Sequence, residues 1–130
     1  MVYRINIPEN EKVITLIGST RFKDSFENVE RILTLNDKVV LSPGVYLHTD
    51  SMEFSRHTKF RLNQLLKNKI ALSHAVFVIN ENGYWGESTT SDICFSRNLE
   101  IPIYYVFDSK GKCNMNLFIN NECFLHGVVV

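Results

Sequence analysis

The stretch Ala75-Val-Phe-Val-Ile-Asn-Glu-Asn-Gly-Tyr-Trp-Gly-Glu-Ser-Thr-Thr-Ser-Asp92 joins an unbroken apolar run to the start of a helical pattern. A short apolar run that does not alternate suits a strand buried on both faces. Ser88–Leu99 then reads as a helix, with Ser88 as its N-cap. The stretch is therefore a strand-to-helix junction, and in a parallel α/β sheet such junctions lie on the ligand-binding edge. Gly83, Gly86, a run of hydroxyls and the carboxylates Glu87 and Asp92 all gather there. A second junction, Leu16-Ile-Gly-Ser-Thr-Arg21, follows the apolar run at residues 13–17. Together they predict a pocket for a phosphate- or sugar-bearing small molecule, with a carboxylate available for chemistry.

The rest of the chain fits the same plan. Phe22, Phe26, Val29, Ile32 and Leu33 are spaced as one face of a helix over Arg21–Leu35, which Asn36-Asp37 ends. Val39–Leu41 is a strand closed by Ser42-Pro43-Gly44. Val45-Tyr-Leu-His-Thr-Asp50 reads as a loop over the pocket or a brief extended piece. A polar helix is predicted from Met52 to Leu72 and a fourth strand over Ile101–Phe107. The order β-α-β-α-β-α-β predicts an α/β fold: one three-layer domain, flavodoxin- or Rossmann-like, with a mainly parallel sheet and right-handed crossovers. Residues 1–108 carry it. Residues 109–130 read as a β-like C-terminal extension, two short strands around Asn120-Asn121, either a hairpin on the sheet edge or an arm toward a neighbouring subunit.

At 130 residues, a single domain with one core is expected. Lys plus Arg equals Asp plus Glu at 14 each, so no bulk field favours polymeric nucleic acid or an anionic membrane. No apolar run approaches a membrane span and no leader is recognisable, which gives a cytoplasmic expectation. Cys94, Cys113 and Cys123 lack zinc-like spacing and are expected to be reduced, with Cys94 a small buried hydrophobe. His48, Asp50 and His57 match no metal motif, so no metal is expected. Lys59, Arg61, Lys67 and Lys69 read as the solvated face of the second helix, and His74 as a packing or hydrogen-bonding residue before the third strand.

Each candidate site residue also has a plainer reading. Gly18, Ser19, Thr20 and Arg21 combine a close backbone approach, hydroxyls and a cation beside a helix start, which favours an anion; capping alone would explain the hydroxyls. Ser88, Thr89, Thr90 and Ser91 exceed what one cap needs and could hold phosphate or ribose oxygens. Tyr84 and Trp85, in the loop before Gly86, could stack on a base or cover the core edge. Asp92 is placed for nucleophilic attack at a sugar C1′, with Glu87 as the second acid, or both are solvated acids at a helix start.

Three segments carry a family resemblance: Ile14-Thr-Leu-Ile-Gly-Ser-Thr-Arg-Phe-Lys23, Val40-Leu-Ser-Pro-Gly-Val45, and Ala75–Asn80 continuing through Gly83-Tyr-Trp-Gly-Glu-Ser-Thr-Thr-Ser-Asp-Ile93. Over about residues 13–106 the chain resembles the nucleoside 2-deoxyribosyltransferase-like superfamily, above all its small bacterial and phage members of uncharacterised substrate. That superfamily includes transferases that exchange bases on deoxynucleosides and hydrolases that cleave deoxynucleotide N-glycosidic bonds. The resemblance implies a nucleoside or nucleoside 5′-monophosphate substrate, no cofactor, and a homo-oligomer. It places Gly18, Ser19, Thr20 and Arg21 on the sugar or phosphate. It places the nucleophile at Asp92, where the family carries glutamate in a pattern like Gly-Thr-x-x-Glu-Ile. Aspartate is one methylene shorter, a reach smaller by on the order of 1.5 Å, which opens a second expectation: a nucleotide or sugar-phosphate binding module with weak or no catalysis. His74 stands where many relatives carry an aspartate.

Overall fold

The computed structural model of the chain describes residues 4–47 and 53–119. Its elements are β1 (Arg4–Ile5), β2 (Val13–Gly18), α1 (Lys23–Leu35), β3 (Val39–Leu41), α2 (Arg56–Leu72), β4 (Ala75–Ile79), α3 (Glu87–Asn98), β5 (Ile103–Tyr105) and β6 (Phe118–Ile119). Four strands form a parallel sheet in the order β3-β2-β4-β5. The winding reverses between β2 and β4, so the fold is a doubly wound, flavodoxin-like α/β domain.

Alternation along the central strands assigns the two faces. Ile14 and Leu16 of β2, with Ala75, Phe77 and Ile79 of β4, pack with Phe26, Val29, Ile32 and Leu33 of α1. Ile17, Val76 and Val78 point the other way and pack with Ile70 of α2 and Ile93 of α3. Burying both faces explains the unbroken apolar runs. Thr15 is the polar exception on β2, and its hydroxyl donates to the Lys69 carbonyl at 3.1 Å. That carbonyl lies in the last turn of α2, where the helix supplies no donor of its own. As the sequence suggested, His74 bonds beside the strand: the Val13 N–H donates to its Nδ1 at 3.0 Å.

Element ends follow local caps. The segment expected to open a helix at Arg21 is a 3-10 turn, Thr20–Phe22, capped by Ser19, and α1 starts at Lys23. The second helix begins at Arg56 and not at Met52, because the Ser55 hydroxyl accepts from the Thr58 N–H at 3.1 Å. The fourth strand is shorter than expected, since Asn80 takes Phe107 out of the ladder: its side chain donates to the Phe107 carbonyl and accepts from the Phe107 N–H. Past the ends of α1 and α3, Asp37 and Glu100 adopt φ of 62° and 58°. At each end the next two N–H groups bond back to the last turn, Asp37 to Thr34 and Lys38 to Leu33, Glu100 to Arg97 and Ile101 to Ser96. These are Schellman closures that normally use glycine. Glu100→Gly is therefore expected to raise stability by about 0.5–1 kcal/mol, read as a higher urea midpoint at unchanged slope.

The C-terminal segment is not a separate layer as far as it is described. Cys113, Leu117 and Phe118 are buried in the α1-side core, and β6 pairs antiparallel with β1. The hairpin expected around Asn120-Asn121 lies outside the described residues. No helix among the described residues is long and apolar enough to cross a membrane.

Candidate functional site

A cavity of about 310 Å³ opens at the carboxyl ends of β2 and β4. This is the place where the winding reverses and where open α/β sheets bind ligands. Its walls come from both junctions, Gly18, Ser19 and Thr20 on one side, Tyr84, Gly86, Glu87, Ser88, Thr89 and Asp92 on the other. Pro43, Val45 and Leu47 after β3, and Leu62, Asn63 and Leu66 from α2, complete it. The α2 contribution has no signal in the sequence beyond apolar spacing.

Gly18 sits at the closest approach of the two central strands. Its φ is +145°, and a Cβ there would stand 2.6 Å from the Ile79 carbonyl oxygen. Only glycine fits that place. Gly86 differs: its φ of −91° is open to any residue, and a Cβ would meet only the Tyr84 hydroxyl, at 3.7 Å. It is Gly86 and not Ser88 that occupies the N-cap of α3, with no side-chain cap. Ser88 instead donates its hydroxyl to Asn63 Oδ1 at 3.3 Å, tying α3 to α2.

The loop between β4 and α3 is fixed at several points. Asn80 is bonded to Phe107, and Ser25 of α1 donates to Glu81 at 3.0 Å. The aromatic pair divides its roles. Trp85 stacks on Tyr105 at 5.9 Å and covers the core edge, while Tyr84 turns to the cavity. Arg21 lies over the Tyr84 ring at 4.5 Å and donates through Nε to Ser19 at 3.1 Å. Arg21 thus braces the wall and does not line it. Thr90 is also outside the lining; its hydroxyl accepts from Trp85 Nε1 at 3.1 Å and donates to the Gly86 carbonyl. His74 precedes β4, at the opposite edge of the sheet from the cavity.

The centre of the site is Asp92. It was expected in the first helical turn or just past it, and as a plain alternative in solvent; the structure buries it to 2% exposure. Thr89, Asp92, Ile93 and Ser96 form the inner face of α3. That stripe is largely polar, so apolar spacing misassigns the face, and Cys94 is exposed where burial was expected. Lys67 of α2 donates to Asp92 Oδ1 at 2.9 Å. The second carboxylate oxygen, Oδ2, has no protein donor among the described residues. Burial pushes the Asp92 carboxyl above its usual range, and the hydrogen bond and charge of Lys67 only partly oppose it. Two of the four lysine and arginine positions read as solvated are therefore structural: Lys67 holds Asp92, and Lys69 donates to the Ser42 carbonyl at 2.7 Å.

Fold and site define a doubly wound α/β protein with a switch-point cavity built around one buried carboxylate. No protein-family model matches the chain, and no curated protein matches it.

Proposed function

We propose that the cavity binds a nucleoside or nucleoside 5′-monophosphate and that Asp92 cleaves or transfers its N-glycosidic bond. The observation that carries this reading is Asp92 itself, 2% exposed and lining the cavity, with Oδ2 lacking a protein donor among the described residues. A buried, half-satisfied carboxylate is costly to the fold and calls for a ligand. The family resemblance at the two junctions supplies the chemistry. In the first step Oδ2 bonds to C1′ as the C1′–N bond breaks, and its electron pair leaves with the base, which takes up a proton. Glu87, exposed at the start of α3 on the cavity rim, is the candidate proton donor. In the second step water or an acceptor base attacks C1′ and gives its proton to Glu87, while the C1′–Oδ2 bond breaks and frees the carboxylate. The N–H groups of Glu87, Ser88 and Thr89 precede the first helical bond, Thr90 to Gly86, and suit a phosphate or ribose oxygen. No redox step or cofactor is required.

A second reading is a nucleotide or sugar-phosphate binding module with little catalysis. Two observations favour it: the shorter aspartate, and the ion pair that occupies Oδ1. Chromatographic detection of free base from a panel of nucleosides and 5′-nucleotides, with and without an acceptor base, separates the two. Base release supports the glycosidic reading, whereas ligand binding without release at high enzyme concentration transfers it to the binding module.

A further inference from the structure

Asp92 and Lys67 come from different helices and meet beneath the cavity. The Lys67 side chain is 18% exposed and that of Asp92 3%, so the pair is shielded from solvent on the aspartate side. Geometry divides the two carboxylate oxygens. Oδ1 is held by Lys67 at 2.9 Å, Oδ2 has no protein donor among the described residues, and Asp92 lines the cavity. Leu66, the neighbour of Lys67 in sequence, lines the cavity and packs with the α2–α3 core, so the helix segment carrying the ammonium is anchored. Thr89, one turn before Asp92, is 4% exposed and fixes the same stripe from α3.

We infer that Lys67 is the positioning residue of the site: it fixes the Asp92 carboxylate in one orientation, presents Oδ2 to the ligand and holds the group in its charged form. This rests on the reading of Asp92 as the reacting group and adds the residue on which that role depends. Among the described residues, the other charged and titratable groups around the cavity cannot substitute. Tyr84 and Glu87 line it and bring no positive charge, and Arg21 is committed to Tyr84 and Ser19. From β2 the lining residues Gly18, Ser19 and Thr20 carry no titratable side chain. Lys67 is thus the cation that counters the burial of Asp92 among the described residues.

The test compares wild type, Lys67→Met, Lys67→Gln and Lys67→Arg. Carbon-detected NMR of the Asp92 carboxyl gives its titration midpoint without any substrate, and base release against pH gives the acid limb of activity. Loss of the positive charge is expected to move the Asp92 midpoint up by about one unit or more, and the acid limb with it, while Lys67→Arg stays near wild type. A residue that only supports the fold would lower stability and leave both midpoints in place. Lys67→Gln keeps a donor without charge, so the comparison survives if Lys67→Met does not fold. An unchanged Asp92 midpoint in the neutral variants overturns the inference. Absence of base release in wild type sinks the glycosidic reading alone, because the carboxyl titration still decides whether Lys67 sets the charge of Asp92.

Discussion

Asp92→Asn is expected to reduce base release by a factor on the order of 10³ or more while the protein stays folded. The amide matches the carboxylate in shape and can still accept from Lys67, whose donor reaches Oδ1 at 2.9 Å. What it lacks is the charge and nucleophilicity that the first step needs. The stability side of the experiment has a definite sign. Burial raises the Asp92 carboxyl above its usual range. Its contribution to stability is therefore complete below the unfolded value of roughly 3.9 and is lost as pH rises through the folded one. Removing the carboxyl removes that loss. Urea denaturation at about pH 4 and about pH 7 is expected to show the variant gaining on wild type toward neutrality. A variant that falls behind as pH rises would mean that Lys67 outweighs burial, and that Asp92 serves the fold. Loss of a functional carboxylate with a gain in stability is the signature of a site maintained against the fold's own preference.

Gly18→Ala carries the largest expected cost to stability, on the order of 2–4 kcal/mol. The added Cβ would stand 2.6 Å from a backbone oxygen of β4, at a φ of +145° that alanine rarely adopts. Neither Ile79 nor Gly18 can yield freely, because both lie in the ladder between the central strands. Relief would require the two strands to part at the cavity mouth, so ligand binding is expected to weaken along with the fold. Gly86→Ala is the matched control. Its backbone is already extended and its Cβ would make an ordinary contact with Tyr84. Thermal and urea unfolding of the two variants side by side checks this; equal losses would refute the assignment of the close approach to Gly18.

Much of the fold was legible because its signals are local. The runs at 13–17 and 75–79 are apolar without alternation, and each ends in a glycine- or hydroxyl-rich turn, which is enough to place buried parallel strands and the ligand edge. Caps were read less well. Ser88 looked like the start of α3, yet Gly86 takes that place and Ser88 bonds to Asn63. Cys94 was misplaced for a related reason: the inner face of α3 is largely polar. That face buries Thr89, Asp92 and Ser96, and an apolar count puts Cys94 inside instead.

By itself the sequence determined the α/β order, the two junctions and the residue types that gather at them, since each depends on neighbours within a turn or two. Only the tertiary structure decided which of those residues act together. Asp92 and Lys67 are 25 positions apart, on helices whose relative placement follows from the winding of the sheet. Tyr84 and Trp85 are adjacent, and what separates them is Arg21 on one side and Tyr105 on the other. Spacing along a chain fixes which face a residue shares, whereas the partner across that face is set by how the layers pack.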